Sequence, residues 1–395
     1  MKSIKDVKNL SNKKILLRLD LNVPLNKGRI TDSTRIDKIL PTLKFLIKQK
    51  SKIIIISHIG RPKGRFNDKL SLKPIYEYLQ NKIGLNVKLV KKNVNEINNK
   101  NFFDEISKKI IILENIRFYK EEEKNDIDFA RHLASLGDIY VNDAFSCSHR
   151  IHASICEITK FIPSYSGLQF DLELKALTKI TSEIKRPITC IIGGSKISTK
   201  INLIKNLIPK FDNIVIVGAM ANNIIEFMGN NIGKSLKEKY SKEFIEEIIS
   251  LSKKENCNLI YPEDVVVSKS LIKSPNSKEL QLVSSDEMIL DIGPKTIKRI
   301  CSIIDSSRTI LWNGPAGYFE KSVFANGSIE ITKKIVENNK LNKIYSVAGG
   351  GDTVSLLNKI NVVKFFNFVS TAGGAFLEYL EGKELPGINA LNSNV

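Results

Sequence analysis

Short runs rich in Ile, Val and Leu alternate with longer amphipathic stretches from one end of this chain to the other. That alternation is the βαβα signature of parallel sheets covered by helices, because parallel neighbours need a long crossover and a helix supplies it. The class is α/β. In the first half the strand candidates are KILLRLDLN (14–22), KIIIISHIG (52–60), KIIILENIR (109–117) and DIYVNDAF (138–145), each ending in polar or charged residues. In the second half they are ITCIIGGSK (188–196), IVIVGAM (214–220), MILDIGPK (288–295), ILWNGPAG (310–317), IYSVAGGGD (344–352) and FNFVSTAGG (366–374), each running into glycine. Between them SKEFIEEIISLSKKEN (241–256) is apolar at Phe244, Ile245, Ile248, Ile249 and Leu251, the spacing of one helical face.

Each half therefore reads as its own wound sheet. With 395 residues, 42% of them hydrophobic, the chain is long and apolar enough for two domains with two cores. QFDLELKALTKITSEIKR (169–186) reads as one helix stopped before Pro187, without the Gly/Ser composition of a floppy linker, and is expected to act as a hinge.

Several function classes recede on composition. No apolar run approaches the ~20 residues that span a bilayer, and MKSIKDVKNL lacks the apolar core of a secretion signal, so a cytoplasmic location is expected. The five cysteines are scattered without a CxxC pair, which indicates neither a disulfide framework nor a zinc knuckle. A net charge of +19 invites a nucleic-acid partner, but the lysines are spread among Asn and Ile without forming blocks. No nucleic acid and no membrane is expected as a partner.

Open parallel sheets bind ligands at the carboxyl ends of their strands. There the first half offers Arg18, Asp20, Asn22, His58, Arg61, Arg117 and Arg150, a cationic floor suited to a small polyanion. The second half offers bare backbone with Lys196, Lys200 and Asp352, suited to phosphates approaching N–H groups at helix starts. Two anionic ligands on two domains suggest a transferase.

Each motif has a plainer alternative. GGSKISTK (193–200) places two lysines four apart where a strand turns into a helix; both ammonium groups could flank a phosphate from one helical face, or the segment could be a tight turn with two surface lysines. AGGGDTVS (348–355) places Asp352 at a helix head, either to hold Mg²⁺ beside phosphate or as a simple cap. LWNGPAGYFE (311–320) and STAGGAFLE (370–378) add two more glycine turns. GNNIGKS (229–235) resembles a P-loop but has three residues between its glycines where four are needed, and follows a helix pattern. His149 and His152 lack a partner at ligand spacing and read as hydrogen-bonded or packing residues, as does His132. The acids of EEEKNDID (121–128) read as a solvated loop or helix start with no chemistry.

Taken together, LRLDLNVP, ITDSTRID, SHIGRPKG, LENIRFYKEE, NDAFSCSHRIHAS, GGSKISTKI, WNGPAGYFE, GGGDT and STAGGAFLEYLEGKELPGI resemble phosphoglycerate kinase, in the family's order and along the whole chain. The resemblance implies two Rossmann-like doubly wound domains joined by a hinge helix, with a cleft between them. The expected division is 1–168 for phosphoglycerate, 169–186 as hinge helix, 187–380 for nucleotide, and 381–395 returning to the first domain. It implies a monomer that uses 3-phosphoglycerate or 1,3-bisphosphoglycerate and Mg²⁺ with ADP or ATP; a nucleotide-binding protein without that activity is the alternative. By motif position, phosphoglycerate would meet Asp20, Asn22, Arg35, His58, Ile59, Gly60, Arg61, Arg117 and Arg150. Nucleotide would meet Gly193, Gly194, Lys196, Lys200, Gly218, Gly293, Asn313, Pro315, Glu320, Gly350, Gly351, Asp352 and Thr353, with Asp352 on the metal. Arg35, Lys196, Gly350 and Gly373 would carry the transfer.

Several positions depart from the family's pattern. Thr199 stands where Asp is frequent, SCS (146–148) replaces GTA, Val217 and Ala219 replace glycines of GGGM, and Ala372 replaces the first glycine of STGGGA. Of these, Ala372 is expected to matter most, since a side chain there could restrict a turn at the phosphates.

Overall fold

The structure is a computed structural model that describes residues 1–84, 87–97, 110–239, 241–271 and 274–393. Lys109, which opens one expected strand, and Asn394 and Val395, which end the expected returning segment, lie outside the described residues. The chain divides into two compact units, one of Met1–Lys175 with Glu384–Val395 and one of Ala176–Lys383.

The first unit is built on β1 (Lys14–Leu19), β4 (Lys52–Ile56), β5 (Val87–Val90), β6 (Ile110–Leu113), β7 (Ile139–Asp143) and β8 (Ser164–Ser166), with a small hairpin of β2 (Leu25–Asn26) and β3 (Arg29–Ile30) beside them. The six large-sheet strands run parallel in the order β5-β6-β4-β1-β7-β8. Both faces of that sheet are covered, which is why its strands are continuous apolar runs. Ile15, Leu17 and Leu19 join one core with Ile53, Ile55, Ile110 and Ile112. Leu16, Ile54, Ile56, Ile111 and Leu113 join the other. This odd and even division is the two-residue period of a pleated strand buried on both sides.

The second unit carries β9 (Ile188–Ile192), β10 (Asn213–Ile216), β11 (Asn258–Ile260), β15 (Thr309–Asn313), β16 (Tyr345–Ala348) and β17 (Phe368–Val369), parallel in the order β11-β10-β9-β15-β16-β17. Its core gathers Ile191, Val215, Ile310 and Trp312 with the helices packed on that face. MILDIGPK does not join this sheet, against the expectation. Met288–Ile292 is β14, the partner of β12 (Asp264–Ser268) in a separate antiparallel sheet with β13 (Asn276–Glu279). An apolar run of five residues fits either kind of sheet, and the neighbour that decides it, NSKE, is too polar and exposed to read as a strand.

The helix between the halves runs from Leu168 to Thr181, five residues short of Arg186, and the boundary between the two units falls within it. No helix of the described residues is long and apolar enough to cross a membrane.

Candidate functional site

In each unit the strand order reverses about one strand pair, β1 and β7 in the first and β9 and β15 in the second, and open parallel sheets bind ligands outside the carboxyl ends of such a pair. The expected site residues gather at these two places.

Beyond β1, Asp20 accepts from Arg35 Nη1 at 2.9 Å and from the Ser146 hydroxyl. Asp20 also receives the Asn22 amide at 3.0 Å, and Arg35 Nη1 donates to the Asn22 carbonyl at 3.1 Å. Asn22 Oδ1 accepts the Gly60 amide at 2.9 Å, and the Gly60 carbonyl accepts Arg117 Nη1 at 3.0 Å. One hydrogen-bonded chain thus links Arg35, Asp20, Asn22, Gly60 and Arg117 across three strand ends. Ile59 is buried and its carbonyl is held by Asn115 Nδ2 at 2.8 Å, which fixes the SHIG turn; Arg61 and Lys63 are exposed.

The same locale is strongly positive. Arg117 is buried, and burial, with Arg18 and Arg150 nearby, lowers its pKa. Burial and then Arg18, Arg117, Arg150 and His152 hold His58 well below the usual imidazole range. Burial with Arg117, Arg18, Arg150 and His149 brings His152 down to about 3. Arg150 donates to His149 Nε2 at 3.2 Å. His132 Nε2 meets the Val94 carbonyl at 2.8 Å, away from these groups.

Reading the acid run as wholly solvated fails at one residue. Glu122 is fully buried, with its pKa raised by burial, and accepts Ser154 Oγ at 2.7 Å and Ser154 N at 2.9 Å. A row of three glutamates hides which one turns inward when a short helix packs.

In the second unit a cavity of about 580 Å³ is lined by Gly194, Gly218, Pro315, Glu320 and Asp352 among the expected residues. Around it the glycine turns lock together by hydrogen bonds from their backbone amides. The Gly193 amide donates to the Asn313 carbonyl at 2.9 Å, Gly218 N to Ala316 O at 3.0 Å, and Gly314 N to Thr353 Oγ1 at 2.7 Å. A side chain at Gly193 would place its Cβ 2.1 Å from the Pro315 carbonyl, so the crossing of these two turns admits only hydrogen there. Gly350 and Gly351 open the helix Gly351–Lys359, which carries Asp352 in its first turn. Gly373 stands just before the helix Gly374–Leu380.

The two lysines of GGSKISTK do not share a helical face. Lys196 is exposed in the turn, whereas Lys200 is turned inward to donate to Asn313 Oδ1, and burial pulls its pKa down to about 8. The Thr199 hydroxyl, at the position where Asp is frequent, donates to the Lys196 carbonyl at 2.9 Å. Gly293 does not line the cavity; it packs on Asp264 and donates to its carbonyl at 2.9 Å. Asp291 does line it, with a pKa pushed up to about 7 by burial, and nothing in its strand marked it beforehand. Glu238 is a second unforeseen residue. It accepts the Ser198 amide at 2.8 Å and hydroxyl at 2.6 Å, bracing the turn that carries Lys196.

GNNIGKS follows the helix Met220–Phe227. Its Gly233 and Lys234 amides are already spent on Asn231 Oδ1 and the Glu287 carbonyl, which leaves no P-loop cradle although Lys234 lines the cavity.

A model of the phosphoglycerate kinase family matches residues 4–383. A phosphoglycerate kinase from Wolbachia sp. subsp. Drosophila simulans is 46% identical over 389 residues, covering 98% of each chain. One from Methylorubrum extorquens is 43% identical over 394 residues, covering 99% of this chain and 98% of the relative. The solved phosphoglycerate kinase of Coxiella burnetii superposes with a TM-score of 0.90 at 35% identity, covering 99% of this chain and 98% of that one. That of Pyrococcus horikoshii gives 0.84 at 26%, covering 100% and 99%. With the strand orders, the cationic floor and the glycine-lined cavity in place, these likenesses show that the chain belongs to the phosphoglycerate kinase family and is a kinase.

Proposed function

We propose that this chain transfers a phosphoryl group reversibly from 1,3-bisphosphoglycerate to ADP, giving 3-phosphoglycerate and ATP, with a carboxyl group as acceptor in the reverse direction. The observation that carries the reading is the chain of hydrogen bonds from Arg35 to Arg117, which fixes cations and backbone around one strand switch point as a small phosphorylated acid requires. In this reading phosphoglycerate meets Asp20, Asn22, Arg35, His58, Ile59, Gly60, Arg61, Arg117 and Arg150. Nucleotide occupies the cavity beside Gly194, Gly218, Pro315 and Glu320, with its phosphates toward Lys196, Lys200 and the 350–353 turn.

Such a transfer asks little covalent help of the protein; it needs in-line placement and charge on the moving group. Lys196 and Arg35 supply that charge, helped by amides near Gly350 and Gly373. The attacking oxygen, a carboxylate or an ADP phosphate, is already ionised, so no general base is needed. Among the described residues no cluster of three metal-ligating side chains exists, while Asp352 stands alone in the first turn of a helix. That fits Mg²⁺ carried by the nucleotide, with Asp352 as its protein oxygen and neutralisation of phosphate charge as its contribution. The acyl phosphate must also be kept from water while the substrates meet, and we assign the hinge that allows this to the Leu168–Thr181 helix.

The test is ATP formation from ADP and 1,3-bisphosphoglycerate with Mg²⁺. Product is expected, and its absence from a folded, ADP-binding sample would sink the reading in favour of nucleotide binding alone. Lys196→Ala is expected to lower kcat by about 10² to 10³, the scale for losing one electrostatic stabiliser. Near-normal turnover would remove Lys196 from the chemistry, whereas Lys234→Ala is expected to leave turnover close to normal.

A further inference from the structure

Arg18 is a fully buried arginine on β1, and every donor group of its guanidinium is engaged inside the protein. Nε donates to Ser154 Oγ at 2.9 Å and Nη1 to the Leu19 carbonyl at 2.6 Å. Nη2 lies 3.2 Å from His58 Nδ1 and 3.9 Å from Cys147 Sγ. The Ser154 hydroxyl in turn donates a hydrogen bond to Glu122, the one buried glutamate of the acid run, so the buried cation has an acidic side chain one residue away. An arginine has only donors, so His58 Nδ1 must accept, and an accepting Nδ1 carries no proton. The ring is then neutral with its hydrogen on Nε2. No acceptor of this chain among the described residues engages that nitrogen.

We propose that Arg18 is a positioning residue, locking His58 as the Nε2–H tautomer so that it meets the phosphoglycerate as a neutral hydrogen-bond donor and not as a cation. The proposal rests on the phosphoglycerate reading above for its ligand, but not for the state of the ring. The groups that face His58 agree with it. Arg117 from the turn after β6, and Arg150 and His152 from the segment after β7, add positive charge or a neutral ring, while Glu122 lies 3.8 Å from His152 Nδ1 and faces Arg18 through Ser154. The sequence alone gave Arg18 the appearance of one more anion ligand, since a strand-end arginine looks the same whether its fork faces a substrate or a histidine.

The chain has four histidines, so His58 can be followed in the intact protein labelled with ¹⁵N-histidine. Long-range ¹H–¹⁵N correlation spectra from about pH 5.5 to about pH 8.5 span the range in which an ordinary histidine titrates. Wild type is expected to show His58 with its proton on Nε2 throughout and no titration. Arg18→Met is expected to show a second tautomer, a titration within that range, and a KM for 3-phosphoglycerate raised about tenfold with a smaller change in kcat. Arg18→Lys keeps a charge beside Glu122 but not the planar fork, and is expected to lose the single tautomer as well. It also serves as the readout should Arg18→Met fail to fold. A wild-type His58 that titrates in the range or carries its proton on Nδ1 overturns the proposal, as does a single Nε2–H tautomer persisting in either variant. ATP formation by wild type separates the two readings: its loss tells against the phosphoglycerate site and leaves the tautomer result standing.

Discussion

At the residue scale the most telling group is Lys200. Its ammonium is buried against Asn313, and burial lowers its pKa to about 8, with Asp352 opposing the shift. Below about pH 8 the amine is charged and can meet a phosphate; above it the free protein holds it neutral. A bound phosphate would favour the charged form, so ADP binding near pH 8 should take up protons, and affinity should fall as pH rises through about 8. Calorimetry in buffers of different ionisation enthalpy measures both effects. Lys200→Met is expected to bind ADP more weakly and to lose the proton uptake, and an unchanged pH dependence in that variant would assign it to another group. Polar strand ends such as His58 and Arg117 were legible because a basic side chain after an apolar run has few purposes. Lys200 was legible as a candidate but its inward turn was not, since spacing along a sequence does not say where a helix begins. Asp291 and Glu238 were not legible, because each acts through loops that pack on it from distant segments.

At the element scale the glycine turns decide more than their composition suggested. Ala372, the substitution expected to trouble a phosphate turn, does not occupy the left-handed region; the next residue, Gly373, does, at φ 58° and ψ −114°. Ala219 likewise has an ordinary helical φ of −64°. These departures therefore fall where a side chain costs the backbone nothing. Gly373→Ala is expected to destabilise the protein by about 1–3 kcal/mol, the cost of forcing a side chain into such a conformation, and to slow turnover. Ala372→Gly should change the melting temperature by no more than the usual entropy of one glycine. Differential scanning calorimetry of the two variants compares them directly, and equal effects would mean that Ala372 shares the constraint. The long apolar strands β1, β4, β7, β9 and β15 were readable from their runs. Strands β5, β8 and β11 were not, for they have only three or four residues, two of them begin or end in polar ones, and their place at or near a sheet edge demands less apolar surface.

At the scale of the whole molecule, the last residues of the chain belong to the first unit. Leu385, just before the helix Pro386–Asn392, and Leu391 within it are buried there, and the Gly387 amide donates to the Ser148 carbonyl at 2.8 Å. Nothing in the composition of residues 381–395 announced that return; only the resemblance did, because docking is a property of the surface that receives a segment. Ser148 lies in the same turn as Ser146, which donates to Asp20, and just before Arg150. The tail thus supports the segment that closes one side of the cationic floor. Removing residues 384–395 takes away the burial of Leu385 and Leu391, each worth about 1.5–3 kcal/mol when fully buried, so the first unit should lose about 3–6 kcal/mol as an upper figure. Trp312 is the single tryptophan and lies in the second unit, so its fluorescence reports that unit alone. In the truncated chain, amides of β7 and β8 are expected to exchange faster and the KM for 3-phosphoglycerate to rise, while the tryptophan transition and the KM for ADP stay close to wild type. Equal loss in both units would show that the tail acts on the whole chain and not on the turn it touches.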